Sequence, residues 1–153
     1  SSETLAHTQF GQYQLGQRIN LEKAMLPTTR MGGHMVSGHV DGVTEVCRIE
    51  QSGRASNIWL KMPKNLAHYI ANKGSVTIDG ISLTVNEVSA DALRLTIVPH
   101  TVLHTTISQL TVGSKVHLEV DLVARYLERL LTKNTDVAPQ GVSMALLAQR
   151  GFL

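Results

Sequence analysis

Three clusters of glycine and polar residues carry the chemistry this chain offers. The first is Gly32-Gly33-His34-Met35-Val36-Ser37-Gly38-His39-Val40-Asp41-Gly42, four glycines around two histidines. Glycine lets backbone approach a ligand closely. His34 and His39 could begin a metal site, but no third His or Cys stands at a standard ligand spacing, so no metal is expected. The bland alternative is two loop histidines making structural hydrogen bonds. The second cluster runs from Lys73-Gly74 through Ile78-Asp79-Gly80-Ile81-Ser82-Leu83-Thr84-Val85. In a strand Ser82 and Thr84 share one face, opposite Ile81, Leu83 and Val85. Two hydroxyls on one face suit a polyhydroxylated or heterocyclic ligand, or belong to a solvent-facing strand with no role. The third is Val98-Pro99-His100-Thr101, with Asp121 further on. Pro99 ends strand pairing and leaves the backbone after it free to present polar groups. Asp121 stands where a helix N-cap belongs, and its carboxylate there is stabilised as the anion. That suits hydrogen bonding or charge stabilisation better than a base poised near neutrality. No Ser/His/Asp triad, P-loop, G-x-G-x-x-G or C-x-x-C is present.

The elements that must position these clusters are mostly short strands. Gln17–Lys23 reads as one, from the alternation of Ile19 and Leu21. Met25–Gly33 reads as a linker. Met35–Ile49 follows as a strand interrupted by Gly38 and Gly42, then Asn57–Met62. Pro63 opens a helical turn bearing Leu66, Tyr69 and Ile70. Ser75–Val88 is a hairpin pivoting on Asp79-Gly80, since Asp-Gly between β-branched runs is a strong turn signal. Leu93–Val98 and Lys115–Val120 complete the set. Six short strands and one short helical turn indicate a small antiparallel barrel of the all-β class. Beyond it, Val123, Tyr126, Leu127 and Leu130 line one face of a helix spanning 121–131. That face packs either on its own barrel or around a symmetry axis. Within the 132–153 tail, Ser143–Arg150 has the pattern of a further short helix.

The 153 residues are 42% apolar, enough to bury a core, and only 4% aromatic. A net charge of +2 without a basic stripe argues against a nucleic-acid groove. The single cysteine, Cys47, fits a reducing compartment, and no apolar run is long enough to span a bilayer. A repeat organises the whole. Glu3–Ala24 lies without a gap on His100–Asp121, 97 positions on, with Thr4/Thr101, His7/His104, Thr8/Thr105, Gln12/Gln109, Gly16/Gly113, Leu21/Leu118 and Glu22/Glu119 identical. Residues 1–24 therefore read as the end of a first barrel, and 25–120 as a complete second copy. Copies of equal length would leave about seventy residues upstream. A strand stub separated from its barrel should pack poorly or borrow a partner.

Taken together, GGHMVSGHVDG, KGSVTIDGISLTVNEV, VPHTVLHTT and VGSKVHLEVDLVARYLERLL resemble riboflavin synthase of the α-chain type, in order and in spacing, from about Ser2 to Leu131. The ending LLAQRGFL is similar to tails in that family. The resemblance implies two Greek-key-type barrels of six strands, each holding one lumazine, and a C-terminal helix that assembles a homotrimer. It implies a cytoplasmic transferase. Two molecules of 6,7-dimethyl-8-ribityllumazine exchange a four-carbon unit, giving riboflavin and a ribitylamino-pyrimidinedione with no cofactor. The working site joins the first barrel of one subunit to the second barrel of its neighbour. By the same resemblance Gly38, His39, Val40, Lys73, Ser82, Leu83, Thr84 and Val98, Pro99, His100, Thr101, Val102 and Leu103 line the second-barrel pocket. Ser2, Glu3 and Thr4 are what remains of the first. Ser82 and Asp121 match positions implicated in catalysis, Ser82 by hydrogen bonding and Asp121 by orienting or stabilising, and His39 is a further candidate for handling a proton. Association with lumazine synthase is a further implied partnership; neither a membrane nor a nucleic acid is. The family's N-terminal Phe segment and first-barrel cysteine are not in this chain, and Cys47 lies on a different strand from that cysteine. With one pocket complete and one reduced to a stub, the chain by itself is expected to bind a lumazine better than it turns one over. A non-catalytic lumazine- or flavin-binding protein of the same fold is the alternative.

Overall fold

Strand-forming segments succeed one another as β1 (Gly42–Ser52), β2 (Ala55–Lys61), β3 (Ser75–Ile78), β4 (Ile81–Val88), β5 (Ala92–Ile97) and β6 (Lys115–Val120). In the computed structural model, which describes residues 1–133 and 149–150, they form a closed barrel in the order β1-β2-β5-β4-β3-β6. Every neighbouring pair is antiparallel. The connections β2–β3 and β5–β6 cross over, as the Greek-key expectation requires. Alternation sets which side chains turn inward. Val46, Leu60, Val76, Ile78, Val85, Leu93, Leu95, Ile97, Val116 and Leu118 fill the interior, each 1% exposed or less. Closure leaves no free edge on the barrel. Its curvature is taken up where the register slips, at Cys47 in β1 and Asn86 in β4. At the second bulge the Asn86 carboxamide accepts the Thr96 N–H at 2.7 Å.

The β3–β4 hairpin turns on Asp79 and Gly80, both with positive φ (46° and 81°), the geometry that Asp-Gly favours. After Pro63 a 3₁₀ turn, Ala67–Tyr69, brings the flanking Leu66 and Ile70 into the core. β1 starts at Gly42 rather than Met35, because residues 33–41 have a different task, described below.

The repeat recurs in three dimensions. Helix α1 (Ser2–His7) and a 3₁₀ turn at Phe10–Gln12 correspond to α2 (Pro99–His104) and a 3₁₀ turn at Thr106–Gln109. The Thr8 hydroxyl donates to the Thr4 carbonyl at 2.6 Å, and its equivalent Thr105 to Thr101 at 2.7 Å. Gly16 and Gly113 turn the chain with φ of 86° and 91°. The correspondence stops at the strand. Lys115–Val120 is β6, whereas its equivalent in the stub, within the expected strand Gln17–Lys23, is not paired as a strand. β6 has β1 and β3 on its two sides; the stub has no such partners among the described residues, and a strand is its ladder.

Ser1–Leu122 and Val123–Leu153 are separate compact units. Helix α3 (Leu122–Lys133) follows directly on Asp121 and belongs almost wholly to the second unit. Val123, Tyr126, Leu127 and Leu130 fall along one side of it by helical spacing. Among the described residues no helix is long and apolar enough to cross a membrane. The short helix expected over Ser143–Arg150 lies outside the described residues, its last two apart.

Candidate functional site

β6 is buried on both faces, although only one faces the barrel interior. Val116, Leu118 and Val120 point in. His117 and Glu119 point out, yet each is only 5% exposed. What covers them is the glycine-histidine segment and the stub. Pairing places Thr77 beside Ser82 on β4 and beside Glu119 on β6. Ser82, Thr77 and Glu119 thus form one row across three strands of the outer face.

Residues 33–38 lie along this row as a strap. The His34 N–H donates to the Ser82 hydroxyl at 3.2 Å, and His34 Nδ1 meets the same oxygen at 2.8 Å. His34 Nε2 lies 3.1 Å from the Thr77 hydroxyl. Gly33 is required by contact: a Cβ there would collide with Ser82 Oγ and lie 2.7 Å from Ser82 Cβ. Further along, the Ser37 N–H (2.8 Å) and hydroxyl (2.7 Å) donate to Glu119, as does the Gly38 N–H at 3.1 Å. Asp41 finishes the crossing, its N–H donating to the Leu118 carbonyl and its carboxylate accepting from the Val120 N–H.

The stub covers the other end of β6. His117 Nε2 accepts the Gln9 N–H at 2.8 Å, while Nδ1 faces Asp79 Oδ1 at 3.3 Å. These partners set the tautomer, with the proton on Nδ1. The rings of Phe10 and Tyr13 stand 5.1 and 6.1 Å from the imidazole. Burial, and then the Asp79 carboxylate, push the Tyr13 phenol above its ordinary range. A second bond mirrors the first: the Thr106 N–H donates to Asn20 Oδ1 at 2.9 Å. Gln9 is the repeat equivalent of Thr106, and Asn20 of His117, so the two contacts exchange roles as in an isologous interface.

Gly38, Ser82 and Leu103 line one cleft of about 1000 Å³, together with His34, Ser37 and Thr105. Gly38 and Val40 also line an adjoining cleft of about 480 Å³ with Thr77, His117 and Glu119. His39 is exposed beside them, its N–H on the Ser37 hydroxyl at 3.4 Å. Lys73, Thr84 and Val98, Pro99, His100, Thr101 and Val102 line neither cleft, and Leu83 and Val102 pack against the core. Lys73 adopts φ of 64°, rare for a side-chain-bearing residue. Ser2, Glu3 and Thr4 form the first turn of α1, away from both clefts. Asp121 lines neither and is half-buried at the end of β6. Thr77, His117 and Glu119 escaped the sequence reading, and His34 entered it as a candidate metal ligand or a loop histidine making structural hydrogen bonds, not as a partner of Ser82. The available signals were the Glu22/Glu119 identity and the unbroken apolar flanks of His117.

Residues 37–121 match the lumazine binding domain family. Riboflavin synthase of Photobacterium phosphoreum is 56% identical over 154 residues, covering 100% of this chain and 71% of that protein. That of Photobacterium leiognathi is 56% identical, covering 86% of this chain and 60% of that protein. The Bacillus subtilis enzyme is 40% identical, covering 98% and 70%. Among solved structures, LumP complexed with riboflavin superposes with a TM-score of 0.69 at 25% identity, covering 77% of this chain and 64% of that one. LumP complexed with 6,7-dimethyl-8-(1'-D-ribityl) lumazine shares the fold with the same TM-score at 22% identity. A domain match over more than half the chain, and 56% identity along all of it, show that this chain belongs to the riboflavin synthase family.

Proposed function

We propose that this chain carries the second lumazine-binding barrel of a riboflavin synthase, and that residues 1–24 close a first barrel of the same kind. The complete protein then converts two molecules of 6,7-dimethyl-8-ribityllumazine into riboflavin and 5-amino-6-ribitylamino-2,4(1H,3H)-pyrimidinedione. The observation that carries the reading is the 56% identity along the whole chain, strap, hairpin and α3 included. The reaction removes a 7-methyl proton from one lumazine and adds a nucleophile to the other. Hydrogen-bond donors fixed beside the ring stabilise the developing anion, and holding two rings together removes much of the entropic barrier. Ser82 is suited to donate because His34 holds its hydroxyl in place. Asp121 orients or stabilises, and exposed His39 handles a proton. The homotrimer built on α3, the association with lumazine synthase and the cytoplasmic location belong to the same proposal.

The test is riboflavin formation from the lumazine by the complete protein, followed by absorbance. Asp121→Ala is expected to lower kcat by at least tenfold, an order typical of a lost transition-state contact, while lumazine affinity stays within a few-fold. Lumazine binding without turnover in the wild type would instead favour the non-catalytic lumazine- or flavin-binding alternative.

A further inference from the structure

Glu119 is a buried carboxylate on the outer face of a barrel strand, a costly position unless its oxygens are satisfied. A carboxylate can only accept, and its partners come from one short segment. The Ser37 N–H and hydroxyl donate to Oε1, and the Gly38 N–H lies within reach of both oxygens (3.2 and 3.1 Å). The same Ser37 hydroxyl accepts the His39 N–H. Three successive amides are therefore gathered, directly or through one hydroxyl, onto a single side chain. Gly38 supplies the positive φ of 78° at the centre of the turn. Such a concave run of N–H groups is an anion-binding nest, and here the anion is built into the next strand.

The segment so held is the one bearing Gly38, His39 and Val40 of the proposed substrate site. In the stub, the equivalent of Glu119 is Glu22, one of the identities that mark the repeat. Glu22 is exposed and lines the larger cleft. We infer that Glu119 is a positioning residue of the second-barrel lumazine site, clamping the Ser37–His39 backbone in its binding conformation. The inference rests on the function proposed above and adds to it a residue that acts through the Ser37–His39 backbone.

The experiment uses the complete protein, with 6,7-dimethyl-8-ribityllumazine as the probe in fluorescence titrations and steady-state turnover. Glu119→Ala is expected to weaken one class of lumazine site roughly tenfold or more, the scale of a lost charged hydrogen bond. KM should rise more than kcat falls. Glu119→Gln is expected to recover part of the affinity, because its amide oxygen still accepts from Ser37 while its NH₂ cannot accept from Gly38. Ser37→Ala leaves β6 untouched and should act in the same direction more weakly. Hydrogen exchange of the Ser37 and Gly38 amides, read without ligand, should accelerate in Glu119→Ala with the β6 amides still protected. Unchanged affinity and KM in Glu119→Ala, or unchanged exchange at Ser37 and Gly38, would overturn the clamp. So would affinity that falls only in step with global unfolding, equally in the Gln and Ala variants. A wild-type protein that binds no lumazine would overturn the proposed function itself; the ligand-free exchange tells that failure from failure of the clamp.

Discussion

Gly33 and Gly32 are neighbours with opposite surroundings, which makes them a matched pair. A methyl group on Gly33 would drive into the Ser82 side chain, whereas one on Gly32 meets nothing within 4 Å. Gly33→Ala must lift the strap from β4 or displace Ser82, at about 1–3 kcal/mol, the usual range for overpacking. Gly32→Ala should stay within about 0.5 kcal/mol of wild type. Urea unfolding of the two variants checks the difference, and equal stabilities would remove the close approach from the account. Lys73 poses the reverse case. Its left-handed backbone costs energy that glycine would not pay. Lys73→Gly is expected to leave the unfolding midpoint level or higher while weakening lumazine binding; unchanged affinity would take Lys73 out of the site. Ser82 was legible in the sequence as an outward hydroxyl because period-two alternation assigns strand faces unaided. Glu119 was not, since alternation says which way it points but not that a segment some eighty residues earlier in the chain will cover it.

At the scale of elements, local pattern succeeded where pairing agreed with it. β6 spans the residues that its alternation marks, and the β3–β4 hairpin turns where Asp-Gly demands. Gln17–Lys23 has the same alternation and no ladder, so sequence alone could not distinguish it from β6. The helices α1 and α2 were missed because six residues are too few for a helical period to show. The stub is held instead by side chains. Asn20 accepts from the Thr106 N–H and donates to the Asp79 carbonyl at 2.8 Å. Asn20→Ala should leave both groups without that partner, a loss of about 1–3 kcal/mol where they stay buried. Limited proteolysis should then cut within residues 1–24 earlier than in wild type, and the Thr106 amide should exchange faster, with β2 and β5 unaffected. A cleavage pattern like that of wild type would mean the stub is anchored elsewhere.

For the molecule as a whole, one of the contacts that dock stub on barrel is a mixed aromatic and ionic group, and this gives the fold an alkaline limit. Tyr13 stands edge-on to Phe10, with ring centroids 5.3 Å apart, and near His117, which faces the Asp79 carboxylate. Partial burial and Asp79 both disfavour a phenolate, so the folded protein holds the Tyr13 proton more tightly than the unfolded chain, whose value is 10.0. The sign follows from proton counting. Below pH 10 both states keep the proton and the contribution of Tyr13 to stability is intact; above it the unfolded chain releases the proton first, and stability falls as pH rises through the higher folded value. Arg18 and Lys115 line the same cleft, and a cation near the phenol works against the effect of Asp79. Thermal unfolding followed from about pH 9 to pH 11 should decline more steeply in wild type than in Tyr13→Phe, which keeps the ring and has no proton to lose. High salt should narrow the gap by screening Asp79, leaving the part due to burial. Parallel declines in the two proteins would show that the alkaline limit is set by some other group.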